Sequence, residues 1–285
     1  MIYFLKTEKL EIAVSTFGAE LQSIQTKDFS HILWQKETAH WNRIAPILFP
    51  IVGRLKDDYY TYAGENYSMT QHGFARDQES ELIEKTADSL RFRLCSNVET
   101  KQKYPFDFEF DTIYSINENS LKIEHVIRNL SSENLPFSVG GHPAFKLESD
   151  ISDYVLEFDQ KYTVEQSVLS NGCIKNETVE LNLEKEMALN YSLFENDAIV
   201  IKNPPFNQIG LKHLPSGKTV KMTCKNWTAI GIWTKKDAPF ICIEPWWGWA
   251  DEINSNGTIL EKAGIQLLSP GKETSYSYSI TADEI

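Results

Sequence analysis

His142 lies in the stretch SVGGHPAF, Ser138 to Phe145, where an apolar run ends in two glycines, the histidine and a proline. Pro143 fixes its own φ and biases His142 towards extended backbone, while the glycines remove side chains from its approach. Histidine is the side chain whose ordinary pKa, about 6.5, lets it give and take a proton near neutrality. A turn histidine capping a backbone carbonyl is the bland alternative. Glu244 stands in APFICIEPWWGWADE, at the end of an apolar run and directly before a proline and the tryptophans 246, 247 and 249. A carboxylate carried into apolar surroundings needs a partner or a ligand, because desolvating its charge is expensive. The same burial raises its pKa towards the working range of a general base. Flat aromatic faces beside a carboxylate also suit a sugar, whose C–H face packs on rings while its hydroxyls meet charged groups. A structural glutamate paired with an arginine is the competing account.

His72, in MTQHGFARD, precedes a glycine and has Arg76 and Asp77 close behind. Arg54 follows a glycine at the end of APILFPIVGRL, a rim or turn position of the kind where binding residues concentrate. Asp197 opens an apolar run in LFENDAIVIKN. Each has an ordinary structural counterpart: a packed histidine, a solvated strand end, a strand-start aspartate. His125 falls on an apolar alternation and reads as a core histidine, whereas His40 and His213 sit in polar surroundings and read as solvated. Taken together, His72, His142 and Glu244 suit chemistry that adds one proton while removing another, with Arg54 orienting hydroxyls. No GxSxG, P-loop, GxGxxG, HExxH or EF-hand loop occurs, so no cofactor or metal is called for. A two-carboxylate glycosidase needs a second acid facing Glu244, and the sequence nominates none.

The elements that must carry these side chains follow a period of two. In KYPFDFEFDTIYSI, Phe106, Phe108, Phe110, Thr112 and Tyr114 share one face, and Asp107, Glu109, Asp111 and Ile113 the other. SLKIEHVIRN, KTVKMTC and TSYSYSI alternate in the same way, and NENS, NLSSENLP, SNGC, LPSGK and SPGK separate the runs as turns. Only NLEKEMALNYSLF suggests a turn or two of helix. Many short strands with polar turns predict an all-β chain built as an antiparallel sandwich or barrel. No repeat or composition shift marks a boundary, so a single domain over residues 1–285 is expected.

Forty acidic against twenty-eight basic residues give a formal net charge of −12, which repels nucleic-acid backbones and anionic lipid at long range. Neither nucleic acid nor membrane is an expected partner. The four cysteines, Cys95, Cys173, Cys224 and Cys242, show neither disulfide-framework nor metal-ligand spacing. No signal peptide or membrane-spanning run is evident, so cytoplasmic residence is expected.

An ordered set of motifs adds to this reading: FGAELQSI, HILW, APILFPIVGRL, QHGFARD, GGHPAFKL and IEPWWGWADE, running from about residue 18 to residue 252. In that order they resemble the galactose mutarotase (aldose 1-epimerase) superfamily, most closely its LacX-like bacterial branch. The resemblance implies a large antiparallel β-sandwich with a sugar in a cleft on one face. It implies a glutamate, matching Glu244, that takes the proton of the anomeric hydroxyl, and a histidine, matching His142, that protonates the ring oxygen. A second histidine and an arginine, matching His72 and Arg54, would hold the sugar, with Asp197 a counterpart of a sugar-binding aspartate. An aldose or aldose phosphate would be the substrate, Arg76 and Arg43 favouring a phosphorylated one. A carbohydrate-binding or sugar-sensing protein on the same fold is the alternative. On this view Gly140 and Gly141 leave room for the sugar ring.

Overall fold

The computed structural model describes residues 1–27 and 31–283. Two large sheets dominate. One has nine strands in the order Glu186–Ala188, Tyr154–Glu157, Gln208–His213, Thr219–Cys224, Glu273–Asp283, Ser120–Asn129, Phe108–Asn117, Ser89–Cys95, Glu81–Lys85. The other runs Cys173–Leu183, Tyr162–Ser170, Ile199–Lys202, Ala229–Trp233, Phe240–Trp247, Val139–Gly141, Ile47–Leu48, with Ala144–Lys146 also paired to Phe240–Trp247. A three-stranded sheet, Ile2–Lys6, Leu10–Ser15 and Leu21–Thr26, precedes them. Every ladder between these strands is antiparallel, as the alternating pattern predicts. Among the described residues, no helix is long and apolar enough to cross a membrane.

The inner faces of the two large sheets share one apolar core, in which Phe110, Tyr114, Ile123 and Ile280 meet Phe49, Val139, Ile243 and Trp247. Phe49 stacks on Phe110 with ring centroids 4.3 Å apart, and Trp247 meets Tyr276 at 5.1 Å. His125 is fully buried there as expected, its Nδ1 3.2 Å from the Thr112 hydroxyl. His213 is half-buried instead of solvated, with its ring nitrogens on Ser149 and Ser216.

The alternation has one instructive exception. Asp111 lies on the outer face of strand Phe108–Asn117, yet is fully buried. Arg91, Arg93 and Arg128 from the flanking strands donate to it at 2.6–2.9 Å and cover it. Burial pushes its pKa up, but the three guanidiniums more than reverse this and hold it below the ordinary value.

Helix was expected in the wrong place. NLEKEMALNYSLF supplies only a 3₁₀ turn at Tyr191–Phe194, because Glu186–Ala188 is drawn into an edge strand against Tyr154–Glu157. The one α-helix among the described residues is Val98–Lys103, whose cap residue Asn97 accepts from the Glu99 and Thr100 amides while Thr100 Oγ1 accepts from the Asn97 amide. That capping box, with lysines in the last turn, was legible in SNVETKQKYP.

The paired glycines before His142 clear space for protein, not for sugar, which corrects the sequence-based expectation. A Cβ on Gly141 would collide with the Tyr278 hydroxyl of the opposite sheet, and one on Gly140 would fall 2.8 Å from both the Pro245 carbonyl oxygen and the Trp246 ring. Gly141→Ala is therefore expected to cost about 1–3 kcal/mol, the usual penalty of overpacking a filled core. Tyr278→Phe should recover part of it in a double-mutant cycle followed by urea unfolding; a Gly141→Ala protein as stable as wild type would show that the sheets separate freely here.

Candidate active site

Strand Phe240–Trp247 is buried along its whole length because both of its faces are covered. Ile241, Ile243 and Trp247 point into the inter-sheet core, so Cys242, Glu244 and Trp246 stand on the opposite face of the sheet. A cavity of about 470 Å³ lies against that face. Of the three tryptophans in the motif, only Trp246 lines it. Trp247 belongs to the core, its indole donating to the Asn226 carbonyl, and Trp249 packs on Gly264 beneath Lys202. Gly231, directly across from Glu244, has no side chain because the Trp246 ring occupies that space; a Cβ there would lie 2.5 Å from the indole.

The cavity brings His72, His142, Glu244, Arg54 and Asp197 together. His142 follows the short strand Val139–Gly141, and its amide donates to the Pro46 carbonyl. The Trp41 indole stacks on its imidazole at 4.8 Å and Trp233 meets it edge-on at 6.1 Å. Nε2 of His142 lies 3.2 Å from Oε2 of Glu244, and among the described residues no arginine pairs with the carboxylate. Burial pushes the Glu244 carboxyl well above its ordinary range, partly offset by the Trp246 indole and reinforced by Asp197. Burial likewise pushes His142 down to about 3, with Arg76 and Arg43 adding to the effect. Both shifts favour the uncharged form of their group.

His72 is aimed by backbone. It adopts a left-handed φ of 68°, its amide donates to the Gly53 carbonyl, and the Gly53 amide donates back to its Nδ1 at 3.1 Å. With Nδ1 accepting, the proton of the neutral ring sits on Nε2. Burial and the neighbouring His142, whose ring is 5.4 Å away, keep His72 neutral. Gly53 in turn is backed by Ala250, next to Asp251, whose buried carboxylate lies 3.3 Å from Lys262 Nζ and accepts the Lys56 amide.

Arg54 lines the cavity, but its guanidinium is engaged. Nε and Nη2 form a two-pronged pair with Asp58 at 2.7 and 2.6 Å, and Nη1 donates to the Asn171 carbonyl, tying down the turn of the hairpin Tyr162–Leu183. Arg76 is the more buried arginine of the cavity; Nη2 donates to the Gln71 carbonyl at 2.6 Å while Nε makes no hydrogen bond. Burial lowers its pKa to about 10. Asp197 reaches the cavity from a turn with φ of 87°, its Oδ1 accepting the Ala198 amide. Sequence reasoning missed Trp41 and Trp233 altogether, since nothing in their local context sets them beside His142.

The family model for aldose 1-epimerase matches residues 1–281 of this chain. The chain belongs to the aldose 1-epimerase family. Its sequence is 32% identical over 292 residues to the chromosomal protein LacX of Lactococcus lactis subsp. lactis, covering 97% of this chain and 98% of that protein. The fold matches that of a galactose mutarotase related enzyme from Lactobacillus acidophilus, with a TM-score of 0.95, 33% identity, and coverage of 100% and 98%. It also matches a galactose mutarotase-like protein from Lactobacillus casei ATCC 334, with a TM-score of 0.93, 25% identity, and coverage of 99% and 100%. An isomerase of the mutarotase kind is what this family and fold support.

The buried pair has a measurable consequence for stability. The folded pKa of Glu244 lies above its unfolded value, so as pH rises the unfolded chain releases this proton first. Stability from this group is therefore greatest below ~4.3, the ordinary glutamate value, and is lost as pH rises towards the folded pKa. Glu244→Gln removes that titration and is expected to raise stability near neutrality by ~0.5–2 kcal/mol, as relieving a functional compromise commonly does. Urea unfolding at neutral and mildly acidic pH measures it, with the gain shrinking on the acid side. A less stable Gln variant at neutrality would mean the carboxylate is held by a stronger partner than His142.

Proposed function

We propose that this chain interconverts the α and β anomers of an aldose by general acid–base opening and closing of the ring. The observation that carries the proposal is the 3.2 Å contact between His142 and Glu244, both buried and both lining the cavity. For catalysis His142 carries the acid proton and Glu244 is the carboxylate, a redistribution relative to the uncharged pair with no change in proton count. Glu244 takes the proton of the anomeric hydroxyl as His142 gives its own to the ring oxygen, and the bond from C1 to that oxygen breaks. The product is the open aldehyde. After rotation about C1–C2, the reverse transfers close the ring on the other face of the carbonyl and return the proton to His142. A bound sugar supports the charged arrangement because its hydroxyl donates to the carboxylate and its ring oxygen accepts from the imidazolium.

Around this pair, the Nε2–H of His72 and the carboxylate of Asp197 hold sugar hydroxyls, and Trp246 offers an aromatic face. Arg54, locked on Asp58, shapes the rim through the Asn171 turn. The Nε of Arg76, buried without a hydrogen bond, fits either a hydroxyl or the phosphate of an aldose phosphate. A sugar-sensing protein needs the same pocket but has no use for a coupled acid and base, which favours the enzyme.

Anomer exchange of glucose, galactose and their 6-phosphates, followed by NMR magnetisation transfer, tests the proposal. Wild type should accelerate exchange of at least one of them. Glu244→Gln and His142→Asn should each lose ~10²-fold or more, the usual contribution of a positioned acid or base, while sugar-dependent thermal stabilisation survives. The rate should fall on the acid side as the pair takes up a second proton and on the alkaline side as it gives up its one. Thermal stabilisation by a sugar without any acceleration would instead establish the sensor.

A further inference from the structure

The acid–base reading leaves Cys242 without a role. It stands two residues before Glu244 on the same strand face and is fully buried among Trp34, Ala144, Ala238 and Phe240. Its Sγ, a ring nitrogen of His142 and a carboxylate oxygen of Glu244 all lie within 4.8 Å of one another. No metal-ligand spacing is visible along the chain because the third group arrives from a different strand, about a hundred positions earlier. Among the buried polar atoms here, Nδ1 of His142 and Oε2 of Glu244 make no hydrogen bond.

We propose that this corner of the cavity is a metal site: His142, Cys242 and Glu244 capture a thiophilic divalent cation such as Zn²⁺ or Cd²⁺, in competition with sugar. One sulfur, one nitrogen and one oxygen ligand form a borderline-soft set that favours such ions over Mg²⁺ or Ca²⁺, which take oxygen ligands. Zinc bonds to these donors at about 2.0–2.3 Å, so the three atoms need only draw together by roughly 1 Å. His142 and Glu244 both line the cavity, which leaves a further coordination position open on that side. Binding requires the thiolate of Cys242 and the carboxylate of Glu244, so capture of the cation releases protons. Thiolate and carboxylate then neutralise the cation, which limits the cost of burying it. The positive field of Arg76 and Arg43 opposes a cation, and Asp77, ion-paired to both, moderates it. An occupied site has neither base nor acid to offer a sugar.

The test uses Cd²⁺ added to folded protein carrying Cys95→Ser, which removes the exposed thiol. Expected is one tightly bound cation per chain with a thiolate-to-metal charge-transfer band, and no response to Mg²⁺. Adding Cys242→Ala should abolish the band and weaken Cd²⁺ binding by more than the ~10-fold that losing even an outer-shell partner costs. Glu244→Gln should keep the band but weaken binding. No band at saturating Cd²⁺, or a band that survives Cys242→Ala, overturns the proposal. Should Cys242→Ala fail to fold, unchanged Cd²⁺ affinity in both Glu244→Gln and His142→Asn overturns it equally. The band reports the metal directly, so the site stands or falls separately from the catalysis of anomer exchange.

Discussion

The contact between Glu244 and His142 is the constraint around which this molecule is built. A carboxylate with no cationic partner has been placed on a fully buried strand, where its charge costs most. The fold does not relieve that cost with an arginine, although it holds Asp111 with three. The comparison separates two uses of a buried acid. Asp111 is saturated with donors that favour its ionised form, so it serves the sheet; Glu244 is left short of donors and its burial favours the protonated form. A carboxylate held at such a disadvantage is what differential stabilisation by a substrate requires.

Holding such a pair in place requires rigidity around it, and much of that comes from absent side chains. Gly231 and Gly140 flank the Trp246 indole, and Gly141 admits the Tyr278 hydroxyl from the other sheet. Gly53 lies against Ala250 and exchanges two hydrogen bonds with His72. In each case the space that a Cβ would fill is already occupied by protein. The site is therefore a close-packed part of the sandwich with one open side, and the cavity begins where that packing stops.

The same packing places a thiol within reach of the acid and the base. Cys242 and Glu244 share a face because a strand repeats every two residues, and His142 joins them because Val139–Gly141 pairs with the strand that carries both. The proposed proton transfer and the proposed metal capture would draw on the same donors, which makes them alternatives at a single centre.

Much was determined by sequence alone. The all-β class followed from the period of two, and His142, Glu244 and His72 stood out because glycine, proline and apolar neighbours restrict where each can point. The ordered motifs, each weak alone, indicated the family. What needed the tertiary structure was every decision about facing. The sequence presents tryptophans 246, 247 and 249 together, and the pleat sends only Trp246 to the cavity. Arg54 reads as a free cation until Asp58, four positions on, is seen to take both prongs of its guanidinium. Trp41 reaches His142 across about a hundred positions, and Tyr278 reaches Gly141 from the opposite sheet. Local sequence limits the conformations of its own few residues, whereas these contacts depend on strand order and on which sheet packs against which, and those are properties of the whole chain.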